Sequence, residues 1–170
     1  SGYIFRAFHA LPGLTTSMGV PTNAVLGFAR MLLKTLRELA PTHVALCFDK
    51  ESRKGRLLID PEYKANRAET PEDLRVQFDL IRKVAAVLNV PILEVAGWEA
   101  DDVIGTLALK ARDQGFKVLV VTSDKDFIQL VDGGVELFDP VQDRRIGRAE
   151  AVEKFGVQPE QMRDYLSLVG

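Results

Sequence analysis

The sequence predicts an α/β domain, three layers deep, with a mainly parallel sheet between helices. Three observations carry this expectation. Short, β-rich apolar runs recur at residues 43–48, 90–95 and 117–122. Stretches with apolar residues at helical spacing lie between and around them. Parallel strands need crossovers of this kind, because a tight turn cannot return the chain to the same end.

Taken in order, residues 3–10 read as a short helix with Arg6 as its one cation. Residues 11–20, punctuated by Pro12, Gly13 and Gly19, read as a loop. Thr22 suits the N-cap of a long helix over residues 23–39, with Val25, Leu26, Ala29, Leu32, Leu33, Leu36 and Leu39 toward the core and Pro41 past its end. The first apolar run ends in Asp49. Residues 50–69 then break the alternation: they are polar and carry Lys50, Arg53, Lys54, Arg56, Lys64 and Arg67 against fewer acids. A connection this long inside a small domain is usually functional or disordered.

Thr70-Pro71-Glu72-Asp73 is a helix start, with threonine as cap and proline at the first position. Leu74, Phe78, Ile81, Val84, Ala85 and Leu88 then face the core as far as Asn89. The second run is bounded by Pro91 and Gly97. A helix follows with Val103, Ile104, Leu107, Ala108 and Ala111 on one stripe, stopping at Gly115. The third run leads into a helical stretch at 127–131. After the Asp132-Gly133-Gly134 turn comes an edge strand at 135–138, with 144–146 placed to pair with it. Two helices, near 148–154 and 159–169, finish the chain.

Carboxylates gather where these strands end. Asp49 follows the first run, Glu99, Asp101 and Asp102 the second, and Asp124 and Asp126 the third. One acid before a helix is ordinarily a cap, contributing about 0.5–2 kcal/mol. Three within four positions exceed what a cap requires. If the strands are parallel, all six meet at the carboxyl edge of the sheet, where open α/β folds bind ligands. Such a cluster is costly unless cations neutralise it or some acids hold a proton. An all-oxygen donor set suits Mg²⁺ or Mn²⁺ rather than Zn²⁺.

Composition sets bounds on the partners. The chain of 170 residues, 46% apolar and 27% charged, can bury a real core. It has no apolar run long enough to span a membrane and no visible signal peptide, and its single cysteine, Cys47, sits inside a predicted strand. A cytoplasmic protein is expected. The formal charge of −2 does not exclude nucleic acid, since two bound divalent cations would carry it to +2.

Residues 97–108 (Gly-Trp-Glu-Ala-Asp-Asp-Val-Ile-Gly-Thr-Leu-Ala) with Thr122-Ser123-Asp124-Lys125-Asp126 resemble the 5′-nuclease domains of bacterial DNA polymerases I, within the flap-endonuclease, PIN-like group. Tyr3-Ile4-Phe5-Arg6-Ala7-Phe8-His9-Ala10, Phe48-Asp49 and Tyr63-Lys64-Ala65-Asn66-Arg67 resemble further segments, in the same order. The similarity covers essentially all of residues 1–170, expected as one domain. It implies metal-dependent hydrolysis of DNA from the 5′ side, as exonuclease and flap endonuclease. Asp49, Glu99, Asp101, Asp102, Asp124 and Asp126 would be metal ligands for two ions ~4 Å apart.

The resemblance also makes residues 50–69 a clamp over single-stranded DNA. Tyr63 would stack on a base, and Arg6, Arg53, Lys54, Lys64 and Arg67 would meet phosphates, with Lys64 and Arg56 near the scissile one. The family's usual Phe-Arg pair is here Gly55-Arg56, so only the arginine carries over. Family members also have an upstream strand ending in a ligating aspartate, and downstream a further acidic pair and a helix–hairpin–helix element. Neither is in this chain, so it is expected to be part of a nuclease domain, weakly active alone, with a polymerase region on the same polypeptide.

Three rivals stay open. A phosphatase of the haloacid-dehalogenase type would form an aspartyl-phosphate at Asp124. A PIN-type ribonuclease would not need the basic 50–69 segment. A non-catalytic DNA-binding module would bind without metal.

Overall fold

The computed structural model describes residues 2–11, 13–50, 62–63 and 69–169. Two compact units divide the chain, Ser1–Ala100 and Asp101–Gly170. Each mixes helices with short strands, giving the α/β class expected.

The first unit contains α1 (Gly2–Ala10), α2 (Asn23–Leu39), β1 (Leu46–Cys47), α3 (Glu72–Arg75), α4 (Gln77–Val87) and β2 (Ile92–Leu93). β1 and β2 are parallel, with Leu46 opposite Ile92 and Cys47 opposite Leu93. Both are shorter than the apolar runs that contain them. Ile4, Ala24, Phe28, Leu32, Leu74, Ile81, Phe48 and Val90 form the core. α1 and α2 cross closely at Gly27, where a Cβ would stand 2.5 Å from that of Ala7.

That crossing corrects the buried face of α2. The sequence offers more apolar positions than one face can hold. Leu32 is buried as expected, with Val25 and Leu36 packed against the core, but Ala24 and Phe28 are buried as well and Leu33 is 50% exposed. The glycine at 27 is what lets α1 approach, and this turns the stripe at 24, 28 and 32 inward.

Both predicted threonine caps are also corrected. Thr22 is at the N-cap position of α2 but makes no side-chain cap, and its hydroxyl donates to the Leu14 carbonyl. Before α3 the cap position is held by Pro71, one residue later than expected and likewise without a side-chain bond. The expected single helix from 71 to 88 is divided at Val76. The Gln77 side-chain amide donates to the Asp73 carbonyl at 2.8 Å, the group a continuous helix would offer to the backbone of residue 77.

The second unit contains α5 (Ala100–Asp113, its first residue at the boundary), β3 (Val118–Val121), a 3₁₀ turn (Lys125–Leu130), β4 (Val135–Asp139), β5 (Arg144–Ile146), α6 (Arg148–Phe155), a second 3₁₀ turn (Pro159–Gln161) and α7 (Met162–Val169). β4 lies parallel to β3, with Val118 opposite Val135 through Val121 opposite Phe138, and β5 runs antiparallel to β4. The strand at 135–138 is therefore inner in this sheet, not an edge. Covered on both sides, it buries Val135, Leu137 and Phe138.

Ala108, Val120, Phe127, Ile128, Val131, Val135, Leu137, Ile146, Ala151 and Met162 make this unit's core. Along α5 the buried line runs through Ala108 with Ile104 beside it, while Leu107 is 40% exposed, against expectation. No helix among the described residues is long and apolar enough to cross a membrane.

Candidate active site

The parallel pairing of β1 and β2 sends both chains out at the same edge. Beyond the strands the ladder continues: the Phe48 amide donates to the Leu93 carbonyl at 3.1 Å, and the Gly97 amide donates to the Lys50 carbonyl at 3.2 Å. Gly97 has φ +84°, in the left-handed region that a glycine enters without a steric penalty. The turn it makes brings residues 98–100 alongside Asp49. There the Asp49 Oδ1 accepts the Ala100 N–H at 2.9 Å. Asp49 thus meets the backbone of the residue directly after Glu99, at the first turn of α5.

Glu99 is 6% exposed, a carboxylate well removed from water. The Tyr63 hydroxyl donates to its Oε2 at 2.9 Å. Asp101 and Asp102 occupy the first turn of α5, where the helix dipole favours negative charge. The Tyr63 hydroxyl thus engages a carboxylate, while base stacking would use its ring.

In the second unit, Asp124 and Asp126 follow the end of β3 and are exposed. The Asp124 side chain caps the 3₁₀ turn by accepting the Asp126 N–H at 3.0 Å. Capping is thus one function of Asp124, and a carboxylate with a second oxygen retains acceptor capacity beyond it. Among the described residues no group of three or more His, Cys, Asp and Glu side chains forms a ready-made metal cluster. What the first unit brings together is Asp49 with the segment carrying Glu99.

Arg6 is exposed on α1, with its guanidinium 5.9 Å from the centre of the Tyr3 ring. Arg53, Lys54, Arg56, Lys64 and Arg67, and with them nearly all of the expected clamp, lie outside the described residues.

Two groups near the strand ends were missed in the sequence. Arg82 on α4 pairs with Glu94, just past β2, and lies 5.3 Å from the centre of the Phe48 ring. It places a cation against the residue before Asp49. Its position on the polar side of an amphipathic helix gave no sign of this. Asp139, the last residue of β4, is 5% exposed, and its Oδ1 accepts the Val141 and Gln142 amides at 2.8 and 3.3 Å. Those bonds make it the closing residue of a turn. Cys47, inside β1 as expected, is half-buried, and burial pushes its thiol pKa up.

The chain belongs to the family of 5′-3′ exonuclease N-terminal resolvase-like domains, whose model matches residues 1–156. It is 45% identical over 178 aligned positions to the DNA polymerase I of Rhizobium leguminosarum, covering all of this chain and 18% of that protein. It is 41% identical over 170 positions to the 5′-3′ exonuclease of Aquifex aeolicus, covering 59% of it. The chain thus spans between about a fifth and three fifths of these curated relatives. Among solved structures, the T5 5′-exonuclease with divalent zinc ions bound superposes with a TM-score of 0.66 at 19% identity, over 93% of this chain and 59% of that one. A bacteriophage T5 flap endonuclease in complex with DNA and metal ions gives a TM-score of 0.65 at 24% identity, over 83% and 55% of the two chains. These two share the fold.

Proposed function

We propose that the protein containing this chain is a divalent-metal-dependent 5′-3′ exonuclease and flap endonuclease acting on DNA. One observation carries the proposal: the parallel β1–β2 pair sets the Asp49 carboxylate against the amide following the buried Glu99. A buried carboxylate, next in sequence to an amide that a second acid holds at a sheet's carboxyl edge, is suited to a cation. The donors are hard oxygens, so the group fits Mg²⁺ or Mn²⁺. Asp49 and Glu99, joined by Asp101, Asp102, Asp124 and Asp126, would hold two such ions. When bound, ions of this kind lower the pKa of a coordinated water and stabilise charge on the leaving oxygen.

The side chains of this protein do the rest. Asp49 and Glu99 are oriented by the β1–β2 ladder and by their bonds to Ala100 and Tyr63. Lys64 and Arg56 would set positive charge near the scissile phosphate, favouring the more highly charged transition state. Arg6, Arg53, Lys54 and Arg67 would hold the strand through its phosphates, and residues 50–69 would form the clamp. The naming of relatives as DNA polymerases I supports a polymerase region on the same polypeptide, and primer and flap removal in replication and repair as the task.

The test offers a 5′-flap DNA and a matching single-stranded RNA to the protein with Mg²⁺. Flap cleavage that stops on chelation is expected, with Asp49→Asn and Asp101→Asn each lowering the rate by on the order of 10²-fold or more while sparing DNA affinity. Preferential cleavage of the RNA would instead support the PIN-type ribonuclease. An aspartyl-phosphate trapped at Asp124 would support the phosphatase.

A further inference from the structure

The Tyr63 hydroxyl reaches across 36 residues of sequence to donate to Oε2 of Glu99 at 2.9 Å. The acceptor is 6% exposed, so this bond answers part of the solvation the carboxylate has lost. The donor comes from the basic segment that the nuclease reading sets against DNA. A glutamate carboxylate turns about three bonds, and a donor fixed on one oxygen restricts that freedom. A carboxylate offers about four lone-pair directions, so one phenol hydrogen does not exhaust it as a ligand.

We propose that Tyr63 is a positioning residue for the metal site: its hydroxyl orients the Glu99 carboxylate for a divalent cation. The proposal rests on the nuclease reading above and deepens it. It differs from base stacking in one respect that chemistry can separate. Stacking uses the ring, which phenylalanine keeps, while positioning uses the hydroxyl, which phenylalanine lacks. Partners behind a metal ligand are typically worth 10–100-fold in metal affinity.

Trp98, the only tryptophan, adjoins Glu99 and is 58% exposed, so its fluorescence reports a paramagnetic ion nearby. Mn²⁺ is titrated into the parent chain and Tyr63→Phe, following Trp98 quenching and free Mn²⁺ by electron paramagnetic resonance. Thermal unfolding is run alongside to confirm that the variant folds as the parent does. The expected result is an Mn²⁺ dissociation constant at least about 10-fold higher in the variant, with unchanged affinity for flap DNA in chelator and cleavage restored at high Mn²⁺. Equal Mn²⁺ affinity in the two proteins overturns the proposal. So does a loss of DNA affinity in chelator with Mn²⁺ affinity intact. Failure of the parent itself to bind Mn²⁺ overturns this proposal, whereas the nuclease reading stands or falls on the flap-cleavage test.

Discussion

Gln77 uses its whole side chain on other parts of the first unit. Fully buried, it accepts the Val25 N–H at 3.1 Å and donates to Asn23 Oδ1 at 2.9 Å and to the Asp73 carbonyl at 2.8 Å. Asn23 in turn donates to the Phe8 carbonyl at 2.6 Å. The amide of Val25 is one of the orphans at the start of α2, so the helix is capped from α4, not by the preceding Thr22. Four segments meet in this one network. Gln77→Leu has similar volume but leaves the Val25 amide and the Asn23 oxygen buried without that partner. It should lower stability by about 1–3 kcal/mol, measured by chemical or thermal unfolding. Thr22→Ala should cost much less than an ordinary cap deletion, because no helix amide is bonded to that hydroxyl.

At the scale of elements, the link from β3 to β4 is held by a carboxylate. The Asp132 Oδ1 accepts the Gly134 and Val135 amides at 2.8 and 3.0 Å, while Arg112 on α5 pairs with Oδ2. Burial pushes the Asp132 carboxyl pKa up, but the Gly134 amide, Arg112 and the Val135 amide together outweigh it, and the net shift is downward. The folded pKa therefore lies below that of the unfolded chain. Such a carboxylate stabilises the fold at neutral pH, and that contribution is lost as pH falls through the folded value. Asp132→Asn should lower stability at pH 7 and flatten the loss of stability below about pH 4. Unfolding curves of both proteins across pH 2–8 would show it. An acid limb as steep in the variant as in the parent would assign the acid sensitivity to other groups. Gly134 adds to the same joint: a Cβ there would stand 2.7 Å from Arg112 Cγ, so the arginine stem fits only over a glycine.

Considered as a whole molecule, a chain of formal charge −2 is proposed to grip a polyanion. Bound cations and the local excess of lysine and arginine in residues 50–69 reconcile the two, since field lines from a basic segment act at short range in salt. Lys64→Ala should weaken flap-DNA binding and reduce the slope of log affinity against log salt by about one. Asp101→Asn should leave that slope unchanged while removing turnover. Measured together by titration at several ionic strengths, the pair separates strand gripping from chemistry.

By itself the sequence determined the kinds of element, their order and where carboxylates leave the strands. α1, α2, α5, α6 and the paired strands near 135 and 144 all fall close to the residues that periodicity and turn chemistry mark, because those signals are local. Asp49 and Glu99 were legible as candidates for the same reason, being acids at the ends of apolar runs. Tertiary structure alone decided that Ala24 and Phe28 of α2 face inward and that Leu33 does not, where α1 approaches at Gly27, whereas the burial of Leu32 was legible in the sequence. It also decided that Gln77 and not Thr22 caps α2, that Val135–Asp139 pairs with β3 as well and so is an inner strand, and that the Tyr63 hydroxyl meets Glu99. Each of these depends on a partner distant in sequence. A hydrogen bond or a close packing contact is set by where two segments meet in space, and no window along the chain contains both.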